Sequence, residues 1–208
     1  MCHLTVKTKQ KKRNLATDVV DMHKSLAVRL QQDDKSAQFE LYKLYSRAMY
    51  NVCMRILNNR DDAEDVLQEV FIVAFKQITN FRFESTIGAW LKKIAINRSL
   101  NFLKKRKAEL LFVDDYNSVD IADLTEEIDW NDIQLSVERI HQAASLLPDG
   151  CRVIFSLFLL EGYDHGEIAD ILNISESTSK SQLHRAKLLI RNILSNTINK
   201  EQWETKTC

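Results

Sequence analysis

Two clusters of residues in this 208-residue chain carry the chemistry of nucleic-acid recognition. In the first, Phe81, Arg82 and Phe83 stand shortly before Lys93, Asn97 and Asn101. Aromatic faces stack unpaired bases, cations follow phosphates, and an Asn side chain can meet a base edge with two hydrogen bonds. Phe81 and Phe83 could instead be core residues that close a helical hairpin, and residue types alone leave that choice open. In the second cluster, Ser177, Thr178, Lys180, Ser181, His184 and Arg185 open a helix. They offer donors for phosphates and for major-groove base edges, or else a solvated helix face. A third group, Asp65, Gln68 and Glu69, follows Asp61 and Asp62. It reads either as a docking surface for a basic partner or as a solvated face whose acids suit the positive end of a helix dipole.

Helices must position all three groups. Ala63, Val66, Leu67, Val70, Phe71, Ala74, Phe75 and Ile78 recur at three-four spacing, which predicts a helix with one buried stripe. A break over 79–85 holds the aromatic pair. A further helix from about Thr86 carries Trp90, Leu91, Ile94 and Ala95 and ends in Lys104-Lys105-Arg106-Lys107. Upstream, a helix is expected from Thr17 or Asp18 to Leu30, then a break from Gln31 to Lys35. Ser36 is the expected N-cap of a long helix reaching Ile56, and Asn58-Asn59-Arg60 makes a turn. Residues 17–107 thus form a four-helix domain.

Residues 133–195 form a second four-helix domain. Ile133, Val137, Ile140, Ala144 and Leu147 mark a helix stopped by Pro148. Val153, Ile154, Leu157 and Phe158 mark the next, closed by Gly162 in a left-handed position. His165 to Leu172, a turn at Asn173-Ile174-Ser175, and a helix from Glu176 or Ser177 to about Leu194 make a helix-turn-helix. The turn suits Asn, which tolerates the left-handed region. The fold class is all-α with two domains.

Charge separates the parts further. Residues 1–108 hold 21 Lys/Arg against 11 Asp/Glu, and residues 109–132 hold none against 9. Residues 1–16 read as a basic disordered arm, 108–132 as an acidic linker and 196–208 as a frayed tail. Apolar runs are too short to span a bilayer, and the polar, basic start is no secretory signal. The four scattered cysteines, Cys2, Cys53, Cys151 and Cys208, have no metal-ligand spacing and read as free thiols of a cytoplasmic protein. No nucleophile-base constellation or phosphate-cradling loop is present, so neither an enzyme nor a cofactor or metal site is expected.

The run Asp62-Ala63-Glu64-Asp65-Val66-Leu67-Gln68-Glu69-Val70-Phe71, then Phe81-Arg82, then Ala89 to Asn97, resembles the second conserved region of extracytoplasmic-function (ECF) sigma factors. Leu147-Pro148 to Phe155, Glu161 to Ala169 and Ser175 to Ala186 resemble the fourth region. The resemblance implies a subunit that docks on core RNA polymerase. Asp65, Gln68 and Glu69 would meet the clamp helices of the largest subunit, and the flap of the second subunit is implied as a further contact. Phe81, Arg82, Phe83, Lys93, Asn97 and Asn101 would take the minus-ten element, with an extruded base at Phe81. Ser177, Thr178, Lys180, Ser181, His184 and Arg185 would read the minus-thirty-five element. It also implies an anti-sigma factor that holds the free chain. Three positions depart from the family pattern: Ser177 replaces Gly, Ser179 replaces an aliphatic residue of the buried side, and Gln182 replaces an Arg. Two rivals stand beside this reading. One is a dimeric helix-turn-helix regulator independent of polymerase, which should bind a palindrome unaided. The other is a protein-binding adaptor, which should bind no DNA.

Overall fold

The computed structural model describes residues 23–106 and 137–204, with side chains to residue 195. The arm at 1–16, the start of the first helix, the acidic linker at 108–132, and Cys2 and Cys208 lie outside the described residues. The described residues contain helices and no strand. The chain divides into two compact units at Leu103/Lys104, within the last turn of a helix.

In the first unit, α1 (residues 23–31) is followed by α2 (Lys35–Leu57), α3 (Arg60–Gln77), a 3-10 turn (Ile78–Asn80) and α4 (Ile87–Arg106). The α1–α2 connection differs from expectation. Asp34, not Ser36, is the N-cap, and its side chain accepts from the Ser36 amide at 2.8 Å. Arg29 reaches back to Asp34 and Glu40 at 2.9 and 2.8 Å, a link that fixes the turn whichever residue caps it. The α2–α3 turn follows the chemistry of its two Asn residues. Asn58 is left-handed at φ 52°, and Asn59 caps α3 by accepting from the Asp62 amide at 3.0 Å. The core is apolar: Leu41, Ile56, Val66, Val70, Leu91 and Ile96 are almost fully buried. Cys53 lies among them, and burial pushes its thiol from 9.0 up to about 11.

In the second unit, α5 (Val137–Ser145) leads to α6 (Asp149–Phe155). Pro148 stands between them, as the Leu147-Pro148 pair requires. Buried Arg152 pairs with Asp149 and donates to the Leu147 carbonyl at 2.9 Å, closing this corner. The helix expected to continue to Gly162 changes character after α6. Ser156–Leu160 is a π turn, with the Glu161 amide reaching the Ser156 carbonyl at 3.0 Å. Gly162 is left-handed at φ 80°, as expected. α7 (His165–Leu172) starts at a capping box in which Asp164 and Glu167 bond each other's amides at 2.8 and 2.9 Å. Asn173 turns the chain at φ 57° into α8 (Glu176–Glu204). That helix passes Leu194 and takes in most of the stretch expected to be a frayed tail.

Asn173→Gly should leave stability within about 0.5 kcal/mol, whereas Asn173→Val should cost about 1–2 kcal/mol, because only the β-branched residue opposes the left-handed turn. Urea denaturation followed by circular dichroism checks both. The thiol of Cys53 gives a pH dependence. It ionises near 9 when unfolded and near 11 when folded. Its stabilising contribution is therefore complete below pH 9 and falls as pH rises from 9 to 11. Cys53→Ala should flatten that part of the stability–pH curve.

Candidate nucleic-acid interface

The aromatic loop is built between α3 and α4. Phe81 is 6% exposed, with its ring 5.4 Å from that of Trp90 and 5.0 Å from that of Phe83. Phe83 is 39% exposed and holds φ at 60°. A bulky residue in the left-handed region is strained by about 1–2 kcal/mol, and such strain gathers at ligand clamps. The two phenylalanines therefore divide the alternatives left open by the sequence. Phe81 is a packed residue at the base of the loop, and Phe83 is the ring presented outward, with exposed Arg82 between them.

A residue that the sequence reading passed over holds the loop. The Gln31 side-chain amide donates to the Ile78 and Phe81 carbonyls at 3.1 and 3.0 Å. It spans the 3-10 turn and ties the loop to the end of α1. No local signal marks it, because its partners stand 47 and 50 residues away.

α4 carries the polar half of this site. Ile87, Leu91, Ala95 and Ile96 are buried, which turns Lys93, Asn97 and Asn101 outward at four-residue spacing. Asp65, Gln68 and Glu69 are all exposed on α3. With them stands Ile72, 53% exposed and one turn beyond Gln68. It lay outside the apolar stripe read from the sequence, so its exposure places an apolar contact within a polar face.

The second cluster opens α8. Ser175 accepts from the Thr178 amide at 3.0 Å, and its hydroxyl meets those of Ser177 and Thr178 at 2.7 and 2.8 Å. Ser177, Lys180, Ser181 and His184 are exposed along one face, and Thr178 and Arg185 are half-buried beside it. Lys180 pairs with Glu176 at 3.0 Å, and the Ser181 hydroxyl donates to the Thr178 carbonyl at 3.0 Å. The two departures on the inner side have polar partners. Ser179 is fully buried and meets His165 Nδ1 at 2.8 Å, with the imidazole stacked 4.6 Å from Phe158. Gln182 is 8% exposed and accepts from the Cys151 thiol at 3.1 Å. Position 182 thus faces inward, so Gln there makes an internal contact. Burial raises the Cys151 thiol against the opposing pull of Arg185. The minus-ten and minus-thirty-five candidates lie in different units.

Phe81→Ala should cost about 3 kcal/mol or more, the ordinary consequence of hollowing a packed aromatic site. Phe83→Gly should stay within about 1 kcal/mol of the parent, since relief of backbone strain opposes loss of one ring contact. Thermal melting of the two variants measures the contrast.

Comparison with known proteins agrees with this architecture. Residues 41–109 match the family model for Sigma-70 region 2, and residues 137–190 match that for Sigma-70, region 4. The ECF RNA polymerase sigma-E factor of Haemophilus influenzae is 30% identical over 176 residues, covering 81% of this chain and 93% of that protein. The ECF RNA polymerase sigma factor SigW of Bacillus subtilis is 28% identical over 178 residues, covering 82% and 95%. The fold is also that of the sigma factor RpoE from Bartonella quintana, solved in complex with the anti-sigma factor NepR. Its TM-score is 0.51 at 23% identity, covering 75% of this chain and 95% of that one. The chain belongs to the ECF RNA polymerase sigma factors, the promoter-specific initiation factors of transcription.

Proposed function

We propose that this chain docks on core RNA polymerase through Asp65, Gln68 and Glu69 and opens promoters by holding unpaired non-template bases at the minus-ten element. The observation that carries this reading is the exposed Lys93–Asn97–Asn101 row on α4, downstream of a strained loop that presents Phe83 and Arg82. Duplex opening without a fuel molecule requires the open state to be bound more tightly than the closed one. A base stacked on an aromatic ring supplies about 1–3 kcal/mol, and a base read by Asn adds discrimination. The Phe81 position contributes through packing, which supports the outward ring and the loop around it.

The exposed face of Ser177, Lys180, Ser181 and His184, flanked by Thr178 and Arg185, reads the minus-thirty-five duplex in the major groove. The second region occupies residues 17–107 and the fourth 133–195, joined by the acidic 108–132 segment. The fourth region also meets the polymerase flap. The chain works in the cytoplasm as a specificity subunit and not as an enzyme, and an anti-sigma factor holds it when free. These assignments rest on the family resemblance together with the exposure of the named side chains.

Reconstituted transcription with core polymerase and a genomic promoter library tests the reading. Initiation from a defined promoter set is the expected result, and unaided binding to a palindrome would overturn it. Replacing Gln68 and Glu69 together by Ala should weaken core binding about tenfold or more, and an unchanged dissociation constant would reject the docking face. Phe83→Gly should shorten the open-complex lifetime several-fold while leaving closed-complex formation in place.

A further inference from the structure

Gln31, the last residue of α1, holds the aromatic loop in a way that packing alone does not require. Its amide nitrogen spends both hydrogens on carbonyls, that of Ile78 at 3.1 Å and that of Phe81 at 3.0 Å. The Ile78 carbonyl already accepts from the Phe81 amide at 3.0 Å, so its bond to Gln31 satisfies no orphan group.

The bond to the Phe81 carbonyl acts on the residues that follow. Phe81 leaves the 3-10 turn with φ −71° and ψ 115°. The peptide is planar, so the angle ψ that points this carbonyl also sets the course of the chain into Arg82 and Phe83. A grip on that oxygen therefore aims the two residues presented outward. Gln31 is itself an anchored point. Ala27 and Leu30 just before it are buried, and Arg29 ties the end of α1 to Asp34 and Glu40. At the far end of the loop, Thr86 accepts from the Ala89 amide at 3.2 Å as α4 begins. Phe83, at φ 60°, stands between these two supports. Two net hydrogen bonds match in size the cost of one bulky left-handed residue. The grip of Gln31 is thus large enough to hold Phe83 in a conformation it would otherwise leave.

We propose that Gln31 is a positioning residue for promoter opening: by fixing the Phe81–Arg82 peptide, it keeps the Phe83 ring and the Arg82 cation where melted strand meets them. It acts through the loop and not on the strand itself. The inference rests on the function proposed above and adds to it a control point 50 residues upstream of the loop carbonyl that it holds.

The test is a double-mutant cycle, read as the lifetime of the open complex formed with core polymerase on a promoter from the library. Gln31→Met keeps the length of the side chain and removes both donors. In the parent it should shorten the lifetime about tenfold, the order set by stacking one base. In a Phe83→Gly background it should shorten it less than about twofold, since the ring that it positions is gone. Affinity for core polymerase should match the parent. A merely structural role predicts the same fold loss in both backgrounds. That result overturns the inference, as does an unchanged lifetime in the parent or a fall in core affinity that accounts for the shorter lifetime. If Gln31→Met loses its cooperative melting transition, Gln31→Glu takes its place and must meet the same expectations, since a carboxylate has the shape of the amide and no donor. Phe83→Gly without effect on the lifetime would overturn the function proposed above. A normal loss with Phe83→Gly and none with Gln31→Met overturns the positioning role alone.

Discussion

One helix, α4, has to satisfy two demands around a single cylinder, and the first unit is arranged about that constraint. Its inward stripe, from Ile87 through Leu91 and Ala95 to Leu103, must be desolvated for the bundle to hold. Its outward row of Lys93, Asn97 and Asn101 must stay in water and at fixed spacing. The 3.6-residue repeat links the two, so any rotation of α4 that exposed the stripe would bury the row. Packing energy thereby becomes positional accuracy. The loop is held by the same logic from its other end, where Gln31 grips two carbonyls and Phe81 packs on Trp90. Strain at Phe83 persists because both ends of its loop are fixed.

The second unit meets a similar demand with less apolar material. α8 must hold a polar face toward solvent while seating its other side on α6 and α7. At two inner positions the contact is polar: Ser179 with His165 and Gln182 with Cys151. Hydrogen bonds at buried positions are directional, so they specify one rotation of α8 where an apolar contact would tolerate several. The hydroxyl cluster at Ser175, Ser177 and Thr178 fixes the start of the same helix.

Local features of the fold were legible in the sequence because local chemistry sets them. Asn58, Asn173 and Gly162 turn the chain where their tolerance of positive φ predicts. The α7 boundaries follow the short apolar period between two such signals. Features set by distant partners were not legible. Asp34 outcompetes Ser36 as a cap in a turn that Arg29 braces. The opposite surroundings of Phe81 and Phe83 depend on where Trp90 and Gln31 come to rest. Gln182 reads as the replacement of an Arg until Cys151, 31 residues away, is seen beside it. Ile72 follows no apolar period because it belongs to an outward face. Residue types thus pointed to the interface, and tertiary packing decided which member of each pair is presented.

The π turn at Ser156–Leu160 bears on how the length of this segment can change. It holds one residue more than an α-helical turn would, so it stores a single-residue insertion without breaking the helix axis. Excision of that residue would heal the ladder and leave the segments on either side oriented almost as they are, because a five-residue π turn and a four-residue α turn each close about one revolution. This segment can therefore lose one residue without re-aiming the helix around it.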